Sequence, residues 1–539
     1  MGQKDYVSAL DIVNQIIKAN QHDQIALLQK GTIYSEIGKE EEACHIFHEL
    51  IKLNPKNQWP YLKLAKIKFI NGQVNESLQL LGDGIKKSNE VTVLVLRKAD
   101  YLIRVGRNEK AINLLNEYLK DDSTDVRIQI LKAKAMLNKG EFGNAKQLLL
   151  DINVNEAEWK NKTKEALATI AFKEYDYEKA ILLFEDIISS STRTSNLRQR
   201  LSLLLLLKGK LVRSSEELKM ATQEIESLKV SGKVGIPLIG HASKILNEVK
   251  LNPELKLRTM SSFGLSGTKR LKYLAEIQDS NPSYFGSALY LINELREQKV
   301  FGSLASSKNM KTEAPIPQTI VQYWDKPNPP SIISEVMDSW KEMNPGYTHK
   351  VFSRNSAYYF IKYNYGMESA RAFESCIHPA MQADLFRLAY LNKEGGFYAD
   401  ADDMAAKSVE PLRVRRPELI LKYGDFGCIG NNFIGAVKNN RIIKYSFQKG
   451  LENLGTYFNE GPWFKLGPGH LTTCICYCIR NQVIQNNLLE LQKILALNQV
   501  EYSKFFHQHL SLPYKSGGKS WYATEYIRDI KSKTANSAS

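Results

Sequence analysis

A chain of 539 residues is too long for one compact core, and a composition of 43% apolar and 24% charged residues is ordinary for soluble proteins, which excludes wholesale disorder and the fibrous classes. The net charge of +15 biases encounters towards polyanions such as nucleotide diphosphates, acidic glycans or anionic headgroups. The lysines are scattered, however, and no basic block interleaved with aromatics marks a nucleic-acid module, so nucleic acid is not expected as a partner. Six cysteines form no disulfide framework, the first residues lack an apolar leader, and the longest aliphatic run, Leu203–Leu207, is far short of the roughly 20 residues that cross a bilayer. A cytoplasmic location is expected, with any membrane contact peripheral and at the inner face.

Self-similarity dominates the first half. Gly38, Gly72, Gly106 and Gly140 recur every 34 residues, each followed five positions later by a small residue, Ala43, Ser77, Ala111 or Ala145. Within residues 24–57, Leu27, Gly31, Tyr34, Ala43, Phe47 and Pro55 resemble the tetratricopeptide pattern, and each has a packing reason. Gly31 and Ala43 let two helices approach, Tyr34 and Phe47 fill the space between them, and Pro55 stops the second helix. The spacing slips by one residue before Ala180, and a degenerate copy around Gly209 and Ser214 closes an array assigned to residues 1–230. The resemblance implies an all-α superhelix whose concave groove binds an extended partner, a protein among them; the alternative is a device that spaces or dimerises a catalytic domain.

The period disappears over residues 231–307, read as a helical connector, and the Gly- and Ser-rich stretch from Phe301 to Lys308 marks the boundary to a third unit, residues 308–539. There the pattern turns to α/β. A strand over 319–323, a helix near 331–343 and a strand over 349–352 precede a helix over 379–394 that stops at Gly395-Gly396; an extended run then leads through Phe397, Tyr398 and Ala399 into Asp400-Ala401-Asp402-Asp403. If the backbone stays extended, Asp400 and Asp402 project to one side and Asp403 to the other. Two carboxylates so placed suit a hard divalent cation, Mn²⁺ or Mg²⁺, whose remaining positions a diphosphate can fill. Taken alone, D-x-D also describes a solvated acidic turn, and Asp384 with Arg387, three residues apart on one helix, also describes an exposed ion pair.

Together these blocks resemble the DXD glycosyltransferases, a family that includes fungal initiating α-mannosyltransferases and, more distantly, the clostridial glucosylating toxins. The run Ile316-Pro317-Gln318-Thr319-Ile320-Val321-Gln322-Tyr323-Trp324 is similar to the family's I-P-K-x-I-H-Q-x-W start, with Val321 in place of its histidine. Gln382 to Arg387, Leu391 and Gly395 to Asp402 are similar to its A-D-x-x-R … L … G-G-x-Y-x-D-x-D block. Asn431-Asn432-Phe433, Gly467 to Thr472 and Ser520-Trp521 resemble its later blocks, whereas the G-H-P expected near residues 438–441 is absent, which bears on the acceptor side. The resemblance covers about Pro315 to Trp521 and implies a GT-A-type nucleotide-sugar fold behind the helical repeats. It further implies Trp324 stacked on the base, Tyr398 lining the donor pocket and Asp384 and Arg387 on sugar hydroxyls. Asp400 and Asp402 would serve ribose and metal, with Ser520 and Trp521 closing over the diphosphate.

The activity so implied is retaining transfer of a sugar from a nucleotide-sugar, a UDP-sugar favoured, to a glycan or lipid-linked glycan acceptor in bacterial capsule or lipopolysaccharide synthesis. A sugar-phosphate transferase of capsule synthesis and a repeat scaffold carrying a dead transferase domain are the rivals. Because every matched residue follows Pro315, a fragment beginning near Phe301 is expected to keep donor hydrolysis. Cys474, Cys476 and Cys478 follow His470 at a metal-like spacing but fall on a predicted buried helix, where they do not converge. The family's histidine ahead of its terminal S-W makes one of His507 and His509 a candidate for touching the donor, with a surface role as the alternative.

Overall fold

A computed structural model describes residues 3–119, 125–154, 156–230, 241–305, 314–455, 461–508 and 510–515. His509, Ser520 and Trp521 lie outside the described residues. After a first helix, Gln3–Ala19, helix pairs run from Gln24–Glu36 with Glu40–Leu53 to Ser195–Leu207 with Leu211–Val230. Gly31 is needed where it stands, since a Cβ there would meet the Phe47 ring at 2.7 Å. The turn inside each pair needs one residue in the left-handed region, and Gly38, Gly72, Gly106, Gly140 and Gly209 supply it at φ 82°, 82°, 79°, 79° and 73°. In the fifth pair the one-residue slip puts Tyr175 there at φ 64°, a conformation that costs a side chain roughly 1–2 kcal/mol. The ring offsets that strain: the guanidinium of Arg296 lies 4.1 Å from it, with Tyr177 and Tyr423 at 5.3 and 5.8 Å.

Among the described residues the C-terminal half has eight strands: β1 (Thr319–Tyr323), β2 (Thr348–Phe352), β3 (Gly396–Ala399), β4 (Met404–Ala405), β5 (Leu419–Tyr423), β6 (Ile429–Ala436), β7 (Ile494–Leu497) and β8 (Phe506–His507). Six form a mixed sheet in the order β2-β1-β3-β6-β5-β7, and β4 with β8 makes a separate antiparallel ribbon. β3, β5, β6 and β7 are buried throughout, including the polar Lys422 of β5 and Asn431 and Asn432 of β6, while the edge strand β2 is half exposed. β1 pairs in parallel with both β2 and β3. The helix Ser331–Met343 joins β1 to β2, and the helices Arg354–Ser375 and Pro379–Glu394 join β2 to β3. The carboxyl ends of the three parallel strands therefore share one edge of the sheet, where ligands of open α/β sheets sit.

The two halves share their cores. One apolar cluster unites Tyr61, Leu102 and Ile112 of the repeats with Ile333, Val336 and Met337 of the helix Ser331–Met343, and with Ala401, Leu510 and Leu512. A second unites Leu201–Leu207 with Leu289, Ile292 and Leu295 of the connector and Leu471, Ile475 and Ile479 of the helix Pro468–Ile484. Arg107 of the third helix pair donates to both carboxylate oxygens of Glu335, at 2.7 and 3.0 Å. The self-sufficient fragment expected from the sequence therefore needs correcting: a cut near Phe301 passes through a common core, because connector helices rather than solvent cover the helix Pro468–Ile484.

A fragment beginning near Phe301 is expected to aggregate or to lose its near-ultraviolet circular dichroism. A sharp thermal transition at the temperature of the intact chain would show instead that the halves fold independently.

Candidate active site

The helix Pro379–Glu394 runs directly into β3 through Gly395 and Gly396, whose φ values are +69° and +101°. Neither can carry a side chain: a Cβ on Gly396 would meet the Thr319 carbonyl at 2.8 Å, and one on Gly395 the Lys438 amide at 2.8 Å. This tight junction lays the helix beside β3 and places Asp384 and Arg387 against the strand end. The exposed ion pair open from the sequence is not what forms, since the Arg387 side chain is 3% exposed and that of Asp384 12%. Arg387 Nη2 lies 3.0 Å from Asp384 Oδ1 and 3.0 Å from Asp400 Oδ1, Nη1 donates to the Asn431 carbonyl, and the guanidinium stands 4.4 Å from the Tyr398 ring. Asn431 Nδ2 donates to Asp384 Oδ1 at 2.8 Å, and the Tyr398 hydroxyl to Asp400 Oδ1 at 2.9 Å. Among the described residues, Oδ2 of Asp384 and Oδ2 of Asp400 take no hydrogen bond.

Two expectations from the sequence are corrected here. The backbone does not stay extended through D-x-D: β3 ends at Ala399, and Asp403 N donates to the Asp400 carbonyl at 3.1 Å, which closes a turn. Asp400 consequently faces Arg387 while Asp402 faces the C-terminal segment, where Oδ2 accepts from the Tyr514 hydroxyl at 3.1 Å and pairs with the Lys515 ammonium. Asp403 is fully buried and accepts from Asn432 Nδ2. Tyr398, expected to line the donor pocket, is 0% exposed and lies beneath Asp400 as its support.

The turn is held from behind. Trp340 Nε1 donates to the Asp403 carbonyl at 2.6 Å, Ser339 Oγ accepts from Ala405 N at 2.9 Å, and Gln322 Nε2 donates to the Asp400 carbonyl at 3.1 Å. Trp340 and Ser339 belong to the helix Ser331–Met343, which is the element that the repeats pack against. Trp324 follows β1 at the same sheet edge, edge-on to Tyr514 with ring centroids 5.6 Å apart, and its buried Nε1–H has no partner among the described residues. That orphaned donor is a feature a bound ligand would satisfy.

Sequence reasoning missed Trp340, Tyr514 and Lys515. A tryptophan on an amphipathic helix carries no mark of its function, and the two C-terminal residues precede the recognised Ser520-Trp521 block. Cys474 and Cys476 are buried on the helix Pro468–Ile484, as expected, and Cys478 is half-buried. His507 faces the repeats across a cavity of about 190 Å³ that Asn138 and Lys173 also line, and burial lowers its pKa to about 4.

Residues 330–418 match the model of the glycosyltransferase sugar-binding region containing the DXD motif. Over those residues the C-terminal half is thus similar to the sugar-binding region of DXD glycosyltransferases. Mannosyl phosphorylinositol ceramide synthase SUR1 of Saccharomyces cerevisiae is 28% identical over 149 residues, 28% of this chain and 37% of that protein. BBSome complex member BBS4 of Bos taurus is 23% identical over 135 residues, 25% of this chain and 26% of that protein. The chain spans well under half the length of these curated relatives. Among solved structures, the PaToxG glycosyltransferase aligns with 47% of this chain and 94% of its own, at 20% identity and a TM-score of 0.28.

Burial pushes the Asp384 carboxyl up to about 6, against the pull of Arg387 and with the push of Asp400. Because this lies above the value near 3.9 of an unfolded aspartate, the stabilisation from protonated Asp384 is fully present below about pH 4 and is lost as pH rises through about 6. Turnover that needs the carboxylate should rise over the same window, and Asp384→Asn should remove both limbs; a pH–rate profile unchanged in shape would rule this out. Trp340→Phe deletes the N–H on Asp403 and should cost about 1–2 kcal/mol of stability. Turnover should fall on the order of 10-fold through a looser turn, read as kcat against thermal melting.

Proposed function

We propose that this protein is a metal-dependent glycosyltransferase that moves a sugar from a nucleotide-sugar, a UDP-sugar favoured, to a hydroxyl of a glycan or lipid-linked glycan. The observation that carries the reading is the joint placement of Asp384, Arg387, Asp400 and Asp402 at the carboxyl edge of β3, within a stretch that matches the DXD sugar-binding region. The residues fit a divalent cation. Asp400 Oδ2 and the Asp402 carboxylate are hard oxygen donors, and Asp402 already holds a positive charge, the Lys515 ammonium, as a stand-in. Bound there with Asp400 and Asp402 as ligands, Mn²⁺ or Mg²⁺ would supply positive charge to the diphosphate as its bond to the sugar weakens.

The chain's own groups do the rest. Asp384 Oδ2 offers an acceptor to a sugar hydroxyl, and Arg387 fixes the orientation of both carboxylates so that they need not reorganise during transfer. Trp324 presents its ring face and its unused N–H to the base. No carboxylate is assigned as a covalent nucleophile; retention of configuration, with the leaving diphosphate guiding the acceptor hydroxyl, is the mechanism the resemblance supports. A relative named for a mannosyl phosphorylinositol ceramide product favours a polyhydroxylated lipid headgroup or lipid-linked glycan as acceptor, with capsule or lipopolysaccharide synthesis as the setting. No described helix is long and apolar enough to cross a membrane. We place the enzyme in the cytoplasm with peripheral contact at the membrane's inner face, and the N-terminal repeats as the site of any protein partner.

Purified protein incubated with a panel of nucleotide-sugars should release nucleotide from one of them only when Mn²⁺ or Mg²⁺ is present. Asp402→Ala should lower that rate by about 100-fold or more with its melting temperature nearly unchanged. Full turnover after EDTA treatment would remove the metal from the mechanism.

A further inference from the structure

The segment from Leu510 to Lys515 is tied down at one end and functional at the other. Leu510 and Leu512 are buried in the cluster shared with the repeats, and the turn Pro513–Lys515 lies against the repeat helix Gln58–Ile70. From this anchorage Tyr514 contacts Trp324 and donates to Asp402, and Lys515 pairs with the same Asp402 oxygen. An ammonium thus sits on the carboxylate that, under the proposed function, receives the metal. The Lys515 side chain is 29% exposed, so its head can leave without disturbing the core beneath it.

We propose that Lys515 binds the donor's diphosphate, and that its ammonium holds the cation position on Asp402 until metal and donor arrive together. A divalent ion held by Asp402 and the ammonium on the same carboxylate would repel each other at close range. Asp402 would hold a divalent ion that supplies positive charge to the diphosphate, and the Lys515 head, repelled by that ion, would turn to the phosphate oxygens. The four-carbon lysine stem lets the charged head turn while Tyr514 and the backbone keep their places. Lys515 then neutralises the charge that collects on the leaving diphosphate. Metal alone pays for evicting the ammonium; metal with donor gives the ammonium a new partner. The two ligands must therefore strengthen each other's binding by the same factor.

This inference rests on the proposed function, and Mn²⁺ titration of the full-length chain, followed by electron paramagnetic resonance without donor, separates the two. Lys515→Met should bind Mn²⁺ alone about tenfold more tightly than the native chain, while its kcat for donor hydrolysis falls on the order of 100-fold. Lys515→Arg should keep the weak native Mn²⁺ affinity and recover part of the turnover. Opposite movements of metal affinity and kcat are not expected of a merely structural lysine. If Mn²⁺ binding is lost in Asp402→Asn but unchanged in Lys515→Met, Lys515 has no such role while the metal site stands. If neither substitution alters Mn²⁺ binding, the metal reading fails and the role of Lys515 with it.

Discussion

A guanidinium that is 3% exposed has to be neutralised where it lies, and Arg387 draws its two carboxylates from different elements, Asp384 from its own helix and Asp400 from the turn after β3. Its third contact, to the Asn431 carbonyl, comes from β6. One side chain thereby fixes a helix, a turn and a strand in a single register. The glycine pair at 395–396 makes this feasible by letting the backbones touch. Asn431 completes the arrangement by donating to Asp384 from the same residue whose carbonyl Arg387 uses.

Three aspartates within four residues repel one another, and the structure answers each with its own partner on a different side. Asp400 has Arg387 and the Tyr398 hydroxyl, Asp402 has Lys515 and the Tyr514 hydroxyl, and Asp403 has Asn432. Behind Asp403 the buried Lys422 donates to Gln508 and stands 4.7 Å from the Tyr502 ring. Burial lowers its pKa, while the field of Asp425, Asp403 and Asp400 favours its charged form. With these partners in place the chain turns at Ala401 instead of running on as a strand, and Asp400 and Asp402 remain close enough to feel each other's charge. Ala401 itself, 6% exposed, faces the apolar cluster that the repeats complete.

Much of this was legible in the sequence, for a physical reason that differs from element to element. The repeats were readable because a left-handed turn residue recurs at every copy, and Gly38, Gly72, Gly106 and Gly140 all hold that position. The one departure, Tyr175, was visible as a slip in spacing, but its ring contact with Arg296 was not, since nothing in the two segments signals that they meet. Asp384, Arg387, Asp400 and Asp402 could be singled out by spacing and resemblance together. Their division of labour could not, because it depends on a turn whose closing bond, Asp403 N to the Asp400 carbonyl, leaves no mark on residue type. Trp340 and Lys515 act on the turn across 63 and 113 residues of sequence, and contacts of that range follow from topology alone.

The same long-range contacts narrow what the repeats can do. Part of the stack of helix pairs is committed inward: Gly106 abuts Met404 and Leu510, and Gly140 abuts Val500 and Lys504. Repeats so used act as a wall that presses the helix Ser331–Met343, and through Trp340 the aspartate turn, into place. The N-terminal end is different. The cluster of Ala43, Phe47, Leu50, Leu64 and Ile67, with the side chains packed on it, is made among the described residues from positions 27–80 alone. Stability of a stacked array passes from each pair to the next, so the pairs fixed on the C-terminal half can hold the first pair, Gln24–Glu36 with Glu40–Leu53, in place. The second to fourth pairs thus close on the helix Ser331–Met343 and on Ala401 of the aspartate turn, while the first pair packs on repeat helices in its own cluster.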